Sequence, residues 1–391
     1  MTANSIPLTR TLLVSRNYAG ATRYKLDAPV ERRAVKKIPA VLVCDAKTGS
    51  LKIAGLTVLD RLVVSAHRAY CGPITIVSDA TPRLARAEEL QIETSSVPAL
   101  PAFPDPVLLI DGGVLVEPSD LERVIEHGGQ LAAANGSLLP IRVTTPKAGP
   151  VIVAHGLAVA IVNEVSARVA ERKFWASLSS PADGLVDRFF NRPLGRLLSK
   201  LLVHTSVSPN QVSFVSIVIG VVSAWFFARG YFVLGALVFQ FSAVIDCVDG
   251  ELARVLFKQS RLGKWLDLAG DQVVHFCVFA ALGIGVARTN SSVPATALGA
   301  SAALGVLLSF AVIIRALRRP AARRSPLLNR LLEATANRDF SVLLLALAIF
   351  GRIDLFLWMA GIGIHIFWIA LLLLLWGPAH RSISATVQHS T

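Results

Sequence analysis

Charge is scarce in this 391-residue sequence: only 17% of residues are charged against 53% hydrophobic, which is not the balance of a single soluble protein. Acid is scarcer still, with 26 Asp and Glu against 39 Lys and Arg and a formal net charge of +13. That excess would suit a nucleic-acid binder, but much of it sits in short loops between apolar runs. Arginine placed there meets anionic headgroups and follows the positive-inside bias, so nucleic acid is not an expected partner. The four cysteines, Cys44, Cys71, Cys247 and Cys277, stand in no metal or disulfide spacing, and nothing demands an oxidising compartment. No repeat and no low-complexity tract is present. The opening MTANSIPLTRTLLVS lacks a long apolar core and a cleavage site, so it does not read as a signal peptide.

The apolar residues are unevenly placed. Residues 1–180 alternate apolar and polar stretches, whereas 211–377 is mostly runs of Val, Leu, Ile, Ala and Phe, and the mean hydropathy is +0.57. The first region reads as a cytoplasmic α/β domain: a strand at 39–44, a helix over 56–69, a strand at 74–78 and a buried strand at 107–111 that ends in Asp-Gly-Gly. A further helix starts near Ser119, a good N-cap. Alternating strands and helices predict a mostly parallel sheet covered on both faces. Residues 181–210 form a junction. Leu185, Phe189, Leu197 and Leu201 recur at helical spacing beside a basic row of Arg188, Arg192, Arg196 and Lys200, the pattern of an amphipathic helix lying in a membrane interface. Residues 211–380 form the membrane domain, with six apolar segments near 211–228, 231–257, 263–287, 294–316, 340–351 and 354–376. A span needs about 20 residues, so the fifth is short and the last pair reads as a tight hairpin. Arg and Lys crowd the turns near 258–264 and 315–338, while the alternate loops carry only Arg229, Arg288 and Arg352. This asymmetry puts both termini in the cytoplasm; a bacterial or archaeal-type cell membrane is the expected location.

The chemistry is concentrated in the run DCVDGELAR that begins at Asp246, and in Gly263, Asp267 and Asp271 beyond it. Asp246 and Asp249 share a helix face that Gly250 and Ala253 extend with minimal side chains. Gly263, Asp267 and Asp271, spaced by four, share a face of the next helix. The turn between is short, so the helices are antiparallel neighbours able to point four carboxylates into one cavity. Each acid costs roughly 2.5–3.5 kcal/mol at the centre of a membrane helix, before mutual repulsion. A divalent cation removes that conflict, and an oxygen-only set suits Mg²⁺, Mn²⁺ or Ca²⁺ rather than zinc, with room for two ions. Arg254 is placed to meet a phosphate. The competing readings are ion pairs that hold helices together in a membrane scaffold, and an Asp-lined path of a divalent-cation transporter.

At these residues the sequence resembles the CDP-alcohol phosphotransferase (CDP-alcohol phosphatidyltransferase) family. Its motif, D-x2-D-G-x2-A-R-x8-G-x3-D-x3-D, is filled at every fixed position by Asp246, Asp249, Gly250, Ala253, Arg254, Gly263, Asp267 and Asp271. Asn191-Arg192-Pro193 and Ser208-Pro209-Asn210 also look like family features. The resemblance implies an interfacial helix and six spans over roughly 183–376, and a homodimer. It implies two metal ions, Mg²⁺ or Mn²⁺, held by Asp246, Asp249 and Asp267. Asp271 would assist or act as the base that deprotonates an alcohol acceptor. The CDP-linked donor would lie against Gly250, Ala253, Arg254 and Gly263, and CMP would leave. Arg338, nearest a span in the 315–338 loop, would receive a phosphorylated acceptor such as inositol phosphate, although topology alone also accounts for that loop. The first domain resembles the nucleotidyltransferases fused to such membrane domains in inositol-phosphate synthases, through Lys52, residues 55–78 and the strand ending at Asp111. It departs where a glycine-rich, basic loop should cradle triphosphate: residues 44–50 read CDAKTGS, with one glycine. The expectation is an inactive domain. The alternative is a bifunctional enzyme that makes its own CDP-polyol through a divergent site on Lys52 and Asp111. His275 and His365, without partner spacing, read as packing residues.

Overall fold

The computed structural model describes residues 37–79, 83–100, 102, 105–145, 149–179, 184–290, 294–318, 325–334 and 339–376. In the first domain, β1 (Ala40–Val43) lies inside a seven-stranded sheet, in parallel register with β4 (Ile74–Val77) on one side and β6 (Val107–Asp111) on the other. β5 (Thr94–Val97) adds to β4, while β9 (Leu138–Thr144) runs antiparallel between β6 and β8 (Gln130–Ala132), and β10 (Val151–Val153) closes the order β10-β8-β9-β6-β1-β4-β5. The run Ala-Val-Leu-Val in β1 has no polar alternation because both of its faces are covered. Small pairs, β2 (Lys52–Ile53) with β3 (Leu56–Thr57) and β7 (Gly113–Leu115) with β11 (Val159–Ile161), flank it.

Three helices of this domain, α1 (Ala46–Ser50) among them, start where a side chain satisfies a free N–H group. Thr57 caps α2 (Val58–Arg68) by accepting from the Asp60 amide, and Asn163 opens α5 (Glu164–Ser177) with a capping box to Ser166. Helix α4 (Pro118–His127) departs from expectation at its start: Ser119 lies inside it, Pro118 takes the first turn, and the extended residue before it is Glu117. Proline's fixed φ and missing N–H suit that first position better than serine's cap suits the next. The remaining helix of this domain is α3 (Ala85–Glu89).

After a π-helical turn, Asp187–Asn191, comes α6 (Arg192–Leu202), then α7 (Pro209–Ala228), opened by a capping box between Ser208 and Gln211 with Pro209 in the first turn. Among the described residues five helices are long and apolar enough to cross a membrane: α7, α8 (Phe232–Val255), α9 (Arg261–Thr289), α10 (Ala295–Leu317) and, after the short α11 (Pro326–Ala334) and α12 (Phe340–Ile349), α13 (Ile353–Trp376). The fifth apolar segment of the sequence is the ten-residue α12, about 15 Å at 1.5 Å per residue, half of a bilayer core. Gly351, at φ +68°, turns the chain from it into α13.

Helix α6 runs along α8, from Asn191 hydrogen-bonded to Gln240, through Gly195 against Val244 and Val248, to Arg196 beside Glu251. Its packed face is polar, with Asn191, Arg192 and Ser199 buried, and Leu194, Leu197 and Leu201 are the exposed side. The sheet's core continues into this region: Val203, Val212, Val248, Leu252, Val255 and Leu256 belong to the same buried apolar cluster as β1, β4 and α2. The turn joining α8 to α9 therefore lies against the α/β domain.

Candidate metal and nucleotide site

Two antiparallel helices and a five-residue turn build the site. Helix α8 ends at Val255, the chain passes through Phe257 at φ +55°, and Ser260 restarts it as the cap of α9 by accepting from the Gly263 amide at 2.9 Å. Spacing by four puts Asp267 and Asp271 on one stripe of α9, and α8 brings Asp246 opposite. Carboxylate oxygens of Asp246, Asp267 and Asp271 all lie within 4.8 Å of one another. The buried Asp246 and the half-buried Asp267 and Asp271 thus form an oxygen-only donor set that fits a hard divalent cation, Mg²⁺ or Mn²⁺, and not zinc.

Asp249 stands outside that group. Three residues of helix turn through about 300°, so Asp249 points some 60° away from Asp246, and Ser213 of α7 donates a short hydrogen bond to its carboxylate. It faces instead a cleft shared with Asp267 and with Gly250, Ala253, Arg254 and Gly263, the four residues that the family resemblance assigns to the nucleotide. A Cβ on Gly250 would meet only the Arg254 guanidinium, at 3.5 Å, so the backbone there is open to a ligand. A Cβ on Gly263 would fall 2.9 Å from the Asn210 side-chain oxygen, so glycine is needed for the start of α7 to close on α9. Arg338 lies outside the described residues, as do Arg319, Arg323 and Arg324 of the arginine-rich loop.

Several site residues lie outside the aspartate motif, and of these only Asn210, in Ser208-Pro209-Asn210, was singled out in the sequence as a family feature. Asn210 and Ser213 line the cleft from α7, and Lys258, Gln259 and Lys264 line it from the turn and α9. The signal for the α7 contribution is a stripe of small residues, Ser213, Ser216, Gly220 and Ser223, all buried, which lets helices approach closely. Ser216 also accepts, through its carbonyl, the Ser242 hydroxyl of α8 at 2.7 Å. The buried Glu251, within the motif but at a variable position, faces Arg196 of α6 at 3.6 Å. His275 sits among the rings of Phe239, Phe279 and Phe340 and also lines a small cavity with Asp246 and Asp271. His365 is held by the Trp368 N–H, which donates to its Nδ1 at 2.9 Å, and by Ser301 at its Nε2.

In the first domain the segment that would cradle a triphosphate is folded away. Asp45 caps α1 by accepting from the Thr48 amide at 2.8 Å, an interaction that holds its carboxyl below the usual range, and Gly49 packs on Cys44 and Leu59. Lys52 and Asp111 belong to different sheets. Burial pushes the Cys44 and Cys71 thiols up to about 11 and about 12, so neither supplies a thiolate nucleophile.

Comparison with known proteins sets this geometry in a family. Residues 206–376 match the family model for CDP-alcohol phosphatidyltransferase. This region is a CDP-alcohol phosphatidyltransferase domain. The chain is 33% identical over 111 residues to the bifunctional IPC transferase and DIPP synthase of Archaeoglobus fulgidus, covering 28% of this chain and 22% of that protein. Its match to the protein of the same description in Rubrobacter xylanophilus is longer, 31% identical over 180 residues, 46% of this chain and 39% of the relative. A third relative, the phosphatidylinositol phosphate synthase of Streptomyces avermitilis, is 34% identical over 93 residues, 23% of this chain and 37% of the other. The chain thus spans less than half the length of each of these relatives. Every fixed residue of the phosphatidyltransferase motif falls at the metal group or along the adjoining cleft.

Proposed function

We propose that the chain is a metal-dependent phosphotransferase that moves a substituted phosphate from a CDP-linked donor to an alcohol and releases CMP. One observation carries the reading: the carboxylates of Asp246, Asp267 and Asp271 converge within 4.8 Å beside a cleft lined by Asp249, Gly250, Ala253, Arg254 and Gly263. In this reading Asp246, Asp267 and Asp271 hold one Mg²⁺ or Mn²⁺ ion, and Asp249 with Asp267 contributes to a second. Bound divalent ions would neutralise the diphosphate and the charge that develops as CMP departs. Arg254 engages a donor phosphate, and Gly250, Ala253 and Gly263 leave the cytidine diphosphate room to lie against backbone. The acceptor hydroxyl attacks the phosphorus that bears the donor's own alcohol. Its proton passes to Asp271, a new P–O bond forms, and the bond to the CMP oxygen breaks with its electron pair leaving on CMP.

The relatives' names support a reading of the substrate class. A phosphorylated polyol, inositol phosphate foremost, is the proposed acceptor, received by Arg338 and its neighbours at the membrane surface. The product is then a phospholipid or related phosphodiester. The outward Leu194, Leu197 and Leu201 support an α6 that lies in the membrane interface, and α12 with α13 supports a six-segment membrane domain closing with a tight hairpin. Both termini are assigned to the cytoplasm from the arginine-rich turns, and the working unit is a homodimer by analogy with the family. The folded-away α1 segment supports an α/β domain without cytidylyltransferase activity.

CMP release by the purified chain with Mg²⁺, a CDP-linked donor and a panel of polyol phosphates is the decisive measurement. Asp271→Asn should lower kcat by about 10²–10⁴-fold, the usual worth of a general base, while the protein stays folded. Undiminished CMP release by the variant would remove Asp271 from the role of base.

A further inference from the structure

The α/β domain touches the membrane domain at one chemically unusual place, the turn that links the two motif helices. Helix α8 ends there with backbone carbonyls that have no partner within the helix and with the negative end of its dipole. Three arginines from the other domain meet this end of the helix and the turn beyond it, Arg61 at the last helical carbonyl and Arg68 and Arg86 at the carbonyl of Phe257. Arg61, 2% exposed, donates Nε and Nη2 to the Ile53 and Ala54 carbonyls of its own domain and reaches with Nη1 to the Val255 carbonyl at 3.1 Å. Arg68 donates to the Phe257 carbonyl at 3.1 Å and to Oε1 of Gln259 at 3.0 Å. Arg86 donates to the same Phe257 carbonyl at 2.7 Å. The Phe257 ring lies under the Arg68 guanidinium at 4.8 Å and under that of Arg61 at 5.7 Å. On the outer side, Lys258 faces Glu89 at 3.9 Å.

Phe257 holds a left-handed backbone, φ +55°, that a bulky residue adopts only when its surroundings over-determine it. Two guanidiniums on its carbonyl and two on its ring do so. The consequence reaches the site, because Lys258 and Gln259 are themselves part of the cleft wall, and Arg254 lies on the seam, lining both the cleft and a second cavity enclosed with Arg61, Phe174 and Phe257. We propose that the α/β domain is a clamp on the α8–α9 turn, with Arg61, Arg68 and Arg86 as positioning residues that hold 255–259 in the conformation from which Arg254, Lys258 and Gln259 form the nucleotide cleft. The inference rests on the donor reading above for what the cleft binds. It gives the inactive nucleotidyltransferase-like domain a task that needs no chemistry of its own.

The test uses the full-length chain in detergent micelles, with CDP and Mg²⁺ as the probe. Wild type, Arg68→Ala, Arg68→Lys and Arg86→Ala are compared by calorimetric CDP affinity and by amide hydrogen exchange over 255–262. Loss of charge-assisted hydrogen bonds predicts CDP binding weaker by about 10-fold in each alanine variant, with exchange in the turn at least about 10-fold faster. Arg68→Lys, which retains a donor, should fall between wild type and Arg68→Ala on both measures. Exchange in the turn unchanged in both alanine variants would overturn the clamp, whatever CDP does. Faster exchange with unaltered CDP affinity would overturn its link to the cleft. Failure of the wild-type chain to bind CDP would instead sink the donor reading itself, while the exchange data would still decide whether the clamp exists.

Discussion

The metal reading makes a prediction that does not depend on turnover. With no cation bound, three ionised carboxylates within 4.8 Å repel one another, and at an effective dielectric near 20 each pair costs about 3–4 kcal/mol. Asp246→Asn deletes two of the three pairs while keeping the side-chain shape. Side-chain relaxation reduces the relief, so a gain of about 1–3 kcal/mol in metal-free stability is expected. Metal should reverse the order. A cation at 1,000 times its Kd adds about 4.1 kcal/mol to a protein that binds it only when folded, a rise of about 8–16 °C in Tm for a domain of this size. The assay is thermal unfolding followed by tryptophan fluorescence in EDTA, Mg²⁺ and Mn²⁺. In EDTA Asp246→Asn should melt above wild type, and in Mg²⁺ or Mn²⁺ below it. Asp249→Asn, whose carboxylate lies outside the triad, should lose only part of the metal shift. Equal metal shifts in wild type and Asp246→Asn, or no shift in wild type with either ion, would refute the reasoning.

Other expectations test separate parts of the molecule. A Cβ on Gly283 of α9 would sit 2.8 Å from both the Gly299 Cα and the Ala295 carbonyl of α10, so Gly283→Val should destabilise by about 1–3 kcal/mol. Gly363→Ala, with nothing within 4 Å of its Cβ, is the control and should leave the melting curve nearly unmoved. Burial, with the Asp120 charge adding to it and the Leu157 amide opposing it, holds the Glu117 carboxyl above its ordinary value. A raised folded-state value in an acid means stability that is complete below the unfolded value and is lost as pH rises through the folded one. Glu117→Gln should therefore flatten the decline in Tm as pH rises above the ordinary carboxylate range, and an unchanged slope would contradict that assignment. The full-length chain given CTP, Mg²⁺ and inositol phosphate should release no pyrophosphate; sustained release would restore the bifunctional alternative.

How much of this was legible in the sequence depends on the range of the interaction involved. The strand Val107–Asp111 and the helices on either side of residues 256–260 could be read because their signals, apolar runs and carboxylates at intervals of three and four, are local. The same periodicity, taken one step further, separates Asp249 from Asp246 by 60°, a distinction that a shared-face argument blurs. Asp45 illustrates the converse: an acid at the end of a first strand suggests chemistry, and the structure spends it on capping five residues of helix. Arg61 gave no signal at all. In sequence it is one more cation on an amphipathic helix, and its partner, the Val255 carbonyl, lies 194 residues away. A backbone acceptor leaves no side-chain trace from which such a pairing could be inferred.

The proposed arginine clamp and the proposed inactivity of the α/β domain bear on each other. In a parallel α/β sheet, ligands approach the carboxyl ends of the central strands, and here that end of β1 is closed by α1, with Thr48 and Gly49 buried. The seam with the membrane domain is built from other parts of the fold: the β2–β3 hairpin, the length of α2 that carries Arg61 and Arg68, and α3, tied to α2 by Asp60 through the Arg86 and Ala87 amides at 2.8 and 2.9 Å. The α1 segment therefore takes the place of none of the side chains that grip residues 255–259, although Gly49 packs on Leu59 of α2. By contrast, the Val255 and Phe257 carbonyls can be reached only if hairpin, α2 and α3 keep their mutual arrangement, which the sheet core enforces. A fold held to that geometry by its contact with the membrane domain can lose catalysis at the strand ends and still require every layer of its core.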